Sequence, residues 1–414
     1  SSDVCSSDLN HRVTCSLPHF LPRSLTPNSQ STYNRQVRFT PEINNQQFPP
    51  VHLIQCDLWE AITGEHVLPD NICNLCIPYF PSSETSSGYL EMQYYNMAKD
   101  RQSCRTLQQK IDECDTKERE LITNALIPHL EELVFDPSSN YVIQKLCEYL
   151  DKDSQKKFLD FFLLDIKRIV EQQSSCRVLQ KFIEHTSEEN VDKIFLSLKD
   201  IMIPMCSSPN GNHIIQRFIE MLPNRLDEIV NILQPHVHNL VIDNCGCRVI
   251  QKLFDKYPLS KLRPLADEVL SCAADLATNQ YGNYVVQNIL ESGSDDDFSF
   301  LINEFQGAFY QFSIHKFASN VIEKCIRRAN NEQRNAIFKE IIGEEDNFDV
   351  ERIYKMVGDQ FGNYVIQRII EFGSETQQYA IYEVVHDHYD DLCKRQYAKH
   401  VIMRLNNLGY NFDE

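Results

Sequence analysis

Asn140-Tyr141-Val142-Ile143-Gln144 decides the fold, because the chain repeats it with small changes. Cys104-Arg105-Thr106-Leu107-Gln108 precedes it. Cys176-Arg177-Val178-Leu179-Gln180, Asn212-His213-Ile214-Ile215-Gln216 and Cys247-Arg248-Val249-Ile250-Gln251 follow, then Asn283-Tyr284-Val285-Val286-Gln287, Ser319-Asn320-Val321-Ile322-Glu323 and Asn363-Tyr364-Val365-Ile366-Gln367. The starts lie 36, 36, 36, 35, 36, 36 and 44 residues apart. A period of this size predicts an all-α solenoid. Each unit in such a stack buries its apolar face only against its neighbours.

If a block is helical, its first and fifth residues share a face one turn apart, with the second beside them. The third and fourth point away and are almost always Val, Ile or Leu, so they face the core. Each helix is then expected to show the outside a polar pair and a flat side chain. One Asn-x-x-x-Gln alone reads as an N-cap and a solvated glutamine. Eight in phase read as a row of equivalent sites, one per repeat. The matching ligand must offer evenly spaced units with a flat face and a hydrogen-bonding edge. Single-stranded nucleic acid does so: Arg, Tyr and His stack on bases, and amides pair with base edges.

The blocks, their period and their order resemble the Pumilio (PUF) family of RNA-binding proteins over residues 86–414. One base per repeat is a known property of that family. The resemblance implies a right-handed, curved α-solenoid of eight repeats, with a C-terminal cap over about residues 376–414. Asn140/Gln144, Asn212/Gln216, Asn283/Gln287 and Asn363/Gln367 resemble uracil readers. Cys104/Gln108, Cys176/Gln180 and Cys247/Gln251 resemble adenine readers, and Ser319/Glu323 a guanine reader. The last has plain chemistry, because a carboxylate only accepts and guanine offers two adjacent donors. The implied stackers are Arg105, Tyr141, Arg177, His213, Arg248, Tyr284, Asn320 and Tyr364. In the family the RNA runs antiparallel to the protein, so the implied target is 5′-UGUAUAUA-3′, or a nine-nucleotide variant with one base turned out. The resemblance further implies binding to mRNA 3′ untranslated regions and repression through co-repressors or a deadenylase complex.

The net charge of −19 is unusual for a nucleic-acid binder. Acid runs fall between the blocks, at Asp295-Asp296-Asp297, Glu344-Glu345-Asp346, Asp387 and Asp390-Asp391. A basic residue directly follows six blocks: Lys145, Lys181, Arg217, Lys252, Lys324 and Arg368, with Gln109 and Asn288 as the exceptions. These six are either a solvated helix face or a line that meets phosphates. The 15 cysteines form no small-domain disulfide pattern, and many sit at core or block positions such as Cys147, Cys272 and Cys325. A reducing, cytoplasmic setting and a monomer are expected. No membrane span and no secretory signal are read.

Residues 1–85 are rich in Ser, Asn, Gln and Pro and read as a disordered or low-complexity region, with a short helix possible within 51–80. The near-duplicated opening, residues 1–9, is set aside from the fold reading. The repeat domain then runs over 86–414, with residues 86–98 supplying its opening helix. Residues 117–134 read as one helix carrying Leu121, Ile122, Leu126, Ile127, Leu130 and Leu133, broken at Asp136-Pro137-Ser138-Ser139. The eight extra residues before Asn363, around 343–350, read as a tolerated loop in preference to a partner-docking loop. Tyr397-Ala398-Lys399-His400-Val401-Ile402-Met403 echoes the block with a degenerate triplet, as a terminal cap does.

Cys73-x-x-Cys76 has no second pair at a finger's distance, and His386-Asp387-His388 reads as a solvated run. No phosphate loop, zincin or nucleophile-elbow motif occurs, so neither an enzyme nor a cofactor is expected. Two other readings remain: an armadillo/HEAT-type scaffold gripping a peptide, and a PUF-like ribosome-assembly factor. A peptide groove has no need of the change to Ser319/Glu323. The assembly factors carry degenerate triplets and basic surfaces, unlike this chain.

Overall fold

The computed structural model of the chain describes residues 86–412. The readings made on residues 1–85, including Cys73-x-x-Cys76, lie outside the described residues. All eight blocks are helical. They lie in the helices Ser103–Glu113, Asn140–Cys147, Gln173–His185, Gly211–Met221, Gly246–Lys256, Gly282–Ser292, Ala318–Arg328 and Gly362–Phe372. Each packs beside the next, and the last packs on Ala398–Asn406, the helix of the degenerate ninth block. The third and fourth block residues face the core as expected: from Leu107 through Ile366 all are fully buried, and only Thr106 of the first block is exposed. The described residues form an all-α solenoid.

Two helices, not one, fill the space before a block. Thr116–Leu126 and Leu130–Phe135 replace the single helix expected over 117–134. Pro128 carries no N–H, and the chain tightens into a 3-10 turn over Ile127–His129. Leu121 is exposed rather than in the core. The buried stripe on its helix runs through Ile122, Ala125 and Leu126 at helical spacing, one position round.

A polar residue four places before most blocks closes the turn into the reading helix. Asp136 Oδ1 accepts from the N–H groups of Ser138 and Ser139 at 2.9 and 2.6 Å. Asp100, Ser208, Asp243, Asn279, His315 and Asp359 take the same part before their blocks. These side chains tie up N–H groups that a helix start leaves open. Glycine completes some of the turns by letting two backbones meet. A Cβ on Gly246 would stand 2.6 Å from the Leu240 carbonyl oxygen. Gly246→Ala should therefore cost about 1–3 kcal/mol through overpacking, read as a lower thermal midpoint. An unchanged midpoint would show that the turn yields freely.

The extra residues before the eighth block form a tight hairpin rather than an open loop. Gly343–Glu344 pairs antiparallel with Asn347–Phe348 directly after the helix Asn331–Ile342. Gly343 takes the chain out of that helix into the hairpin at φ 95°, where other residues are strained, and the hairpin itself turns at Glu345-Asp346. At the C-terminal end, Tyr410 stacks on Tyr382 at 4.8 Å and Phe412 on Tyr389 at 5.2 Å.

Candidate nucleic-acid interface

The expected polar pair is not displayed whole. The first residue of every block is at most 5% exposed. In the asparagine blocks the reason is local. Asn140 Nδ2 donates to the Asp136 carbonyl at 2.7 Å, and Asn212, Asn283 and Asn363 do the same to Ser208, Asn279 and Asp359. Each asparagine is thus folded back into its own turn. Its Oδ1 then accepts from the glutamine one helical turn on, at 2.8 Å for Gln144, 2.9 Å for Gln216 and Gln287, and 3.1 Å for Gln367. This network sets which end of each glutamine faces which way. The glutamine keeps its Oε1 and one N–H for a ligand. Asparagine acts as the bracket and glutamine as the contact.

The cysteine blocks hold their glutamine differently. Gln180 Nε2 donates to Cys176 Sγ at 3.4 Å, and Gln108 Nε2 to the Cys104 carbonyl at 3.1 Å. A thiol is a weak acceptor, and Gln180 is held at its other end by Arg177, which donates to its Oε1 at 3.1 Å. Burial pushes the Cys176 and Cys247 thiols up to about 11, which keeps both protonated at neutral pH and unsuited to nucleophilic or metal chemistry. Gln251, like Gln108, is half-buried, and Gln180 and Gln287 are buried.

At the seventh block, Ser319 is buried and Glu323 half-buried. Burial raises the Glu323 carboxyl above the ordinary value, and Arg368 and Arg327 pull it back down. Arg368 Nε lies 3.4 Å from Glu323 Oε2. It is buried and makes no aligned hydrogen bond, so the approach is an ion pair only.

The second block residues form the exposed row. Tyr141, Tyr284 and Tyr364 are 56%, 51% and 37% exposed, and Arg105, Arg177, Arg248 and Asn320 are exposed too. Large aromatic rings left in water at the same place in three repeats add little to a fold, and they suit a flat ligand. His213 is half-buried. Burial lowers its pKa, and Arg177, Arg248 and Arg217 lower it further, so its ring is neutral at pH 7. Arg177 and Arg248 are its counterparts one repeat either side, so the row is continuous there.

None of the six basic residues after the blocks stands alone. Lys145 pairs with Asp112 at 2.8 Å and Glu148 at 2.9 Å, and Lys181 with Glu148 at 3.2 Å and Glu184 at 3.4 Å. Arg217 pairs with Glu184 at 3.0 Å and with Glu220, which also holds Lys252. Lys324 pairs with Glu291, and Arg368 with Glu371 as well as Glu323. The acid is therefore not confined to the segments between blocks. It also stands three residues beyond the basic position, at Asp112, Glu148, Glu184, Glu220, Asp255, Glu291 and Glu371. This second row shares the period of the blocks and was legible by extending each one by a turn.

A sequence model of the Pumilio-family RNA binding repeat matches residues 93–127, 129–160, 169–198, 202–231, 236–270, 272–305, 308–342 and 352–386. Pumilio homolog 12 of Arabidopsis thaliana is 28% identical over 334 residues, covering 79% of this chain and 55% of the relative. Suppressor protein MPT5 of Saccharomyces cerevisiae is 27% identical over 335 residues, covering 70% and 39%. The chain spans about half the length of the curated relatives it matches. Among solved structures, the Puf3 RNA binding domain bound to the Cox17 RNA 3′ UTR recognition sequence site A is similar with a TM-score of 0.69 at 28% identity, covering 79% of this chain and 97% of that one. PUF-8 in complex with PBE-RNA is similar with a TM-score of 0.68 at 28% identity, covering 78% and 95%. Among the described residues no helix is long and apolar enough to cross a membrane.

Proposed function

The chain belongs to the Pumilio family of RNA-binding repeat proteins, and on that premise we propose that it binds single-stranded mRNA at 3′ untranslated elements close to 5′-UGUAUAUA-3′. The observation that carries this reading is the row of glutamines in the four asparagine blocks, each held at its Nε2 by a buried asparagine, beside the row of largely exposed second block residues. Each Asn/Gln block takes uracil, each Cys/Gln block adenine, and Ser319/Glu323 guanine. Stacking of the aromatic members is worth about 1–3 kcal/mol per base. The cations after the blocks give the phosphate backbone a track. The bound message is repressed through co-repressors or a deadenylase complex, in the cytoplasm, by a monomer that catalyses nothing itself. The similar solved structures include Puf domains bound to RNA, which supports this reading.

Selection of bound RNA from a random pool, followed by sequencing, tests it. Enrichment of UGUAUAUA, or of a nine-nucleotide form with one base inserted, is the expected result. Enrichment of an unrelated motif, or of none, overturns it.

A further inference from the structure

Every boundary between successive reading helices carries the same polar crossing. The residue directly after a block reaches back to an acid of the repeat before. Lys145 reaches Asp112, Lys181 reaches Glu148, Arg217 reaches Glu184 and Lys252 reaches Glu220. Asn288, the neutral exception, donates to Asp255 at 2.7 Å, and Lys324 reaches Glu291. In the seventh repeat Arg327 stands where the others have an acid, and Arg368 turns to Glu323 instead. Arg404, after the degenerate ninth block, reaches Glu371 at 3.6 Å. From Asp112 to Lys252 the pairs join into one unbroken alternating chain, because Glu148, Glu184 and Glu220 each hold a cation on both sides. The cations and carboxylates of that chain are between 23% and 42% exposed. They sit at the surface, the cations one helical turn beyond the stackers and the carboxylates one turn beyond the glutamines.

We propose that the carboxylates Glu148, Glu184 and Glu220 are specificity-determining residues, which hold the adjacent cations against any phosphodiester that arrives without matching bases. This rests on the RNA-binding reading and concerns its electrostatics. A bare basic row would attract all nucleic acid, because phosphate contacts carry no sequence information. Here each cation is already charge-compensated by the protein. A phosphate gains a cation only by displacing a carboxylate, which recovers little counterion entropy. Half-exposed ion pairs are weak enough for that exchange once stacking and base contacts hold the strand in place. Non-matching RNA lacks those contacts and meets a nearly neutral track. The chain's overall acidity becomes part of its selectivity.

The test compares the full chain with the Glu148→Gln, Glu184→Gln, Glu220→Gln triple variant. Binding to UGUAUAUA RNA and to oligo(C) is measured from about 50 to about 200 mM salt, the range over which phosphate contacts show themselves. Three carboxylates lost should steepen the log–log salt slope by roughly 2, at about 0.7 per phosphate on a single strand. Oligo(C) should bind at least tenfold more tightly at the lowest salt. The Glu→Asp triple, which keeps the charge, should restore most of the shallow slope. A glutamine triple with the parent slope and the parent oligo(C) affinity overturns the proposal. If that triple melts early, Glu184→Gln alone should give about a third of the slope change, and no change there overturns it equally. A parent protein with no preference for UGUAUAUA would instead remove the base assignment. The slope comparison on either RNA would still judge the carboxylates.

Discussion

Ser319→Asn with Glu323→Gln should move the preferred second base of the RNA from guanine to uracil, by about 1–3 kcal/mol against the former base. The geometry supplies the reason. In the four asparagine blocks, a buried amide bonded into its own turn holds the glutamine by its Nε2. That leaves one acceptor and one donor on view, which suits uracil's mixed edge. The seventh block has a hydroxyl and a carboxylate instead, two acceptor oxygens that suit a base with paired donors. The turn that would receive the new amide is already present. His315 four residues earlier closes it as Asn279 and Asp359 do in asparagine blocks, so its backbone carbonyl stands ready for the side-chain amide that the first substitution introduces. Stability should survive, because a partly desolvated carboxylate is removed while Arg368 keeps Glu371. Competition gel shifts with second-base variants of the RNA give the answer. A double variant that still prefers guanine would mean that the block does not read the base assigned to it.

The blocks carried their information in the sequence because two periods coincide in them. The solenoid repeat sets where a block falls, and the helical turn sets which of its residues face in. Val142 and Ile143 and their counterparts were therefore legible as core, and Tyr141 and its counterparts as exposed. Asn140 was legible as recurrent but not as buried. Its burial depends on a hydrogen bond to the Asp136 carbonyl, and a backbone oxygen leaves no mark in a residue pattern. The turn-closing side chains escaped for a different reason. Asp, Ser, Asn and His all serve at that position, so chemistry recurs there without identity. The carboxylate row lay just past the point where each block stops looking alike, and the overall charge suggested acid kept away from the reading face. The single helix expected from 117 to 134 divides at Pro128, where a missing N–H outweighs an unbroken apolar spacing.

Phe162→Ala should be the most damaging single core change, at about 3–5 kcal/mol. Phe162 is fully buried in the helix Lys152–Leu164, with Phe158 at 6.2 Å and Phe182 at 5.2 Å between ring centroids. Phe182 belongs to the third reading helix, so these rings join the helix Lys152–Leu164 to the helix that carries Cys176 and Gln180. Removing the central ring opens a cavity that the stacked Phe158 and Phe182 can close only by moving that helix. In a solenoid each unit leans chiefly on its neighbours, so the loss should stay local. Hydrogen exchange should show protection falling in the helices Asn140–Cys147, Gln173–His185 and Gly211–Met221, with Gly362–Phe372 little changed. Base discrimination should follow the same map. On the proposed reading, with an antiparallel strand, the sixth base falls to the third repeat, so preference there should weaken before preference at the first two bases does. A loss of protection spread evenly from the first repeat to the eighth would contradict this. It would mean that the stack folds as one cooperative body and that no site along it can be loosened by itself.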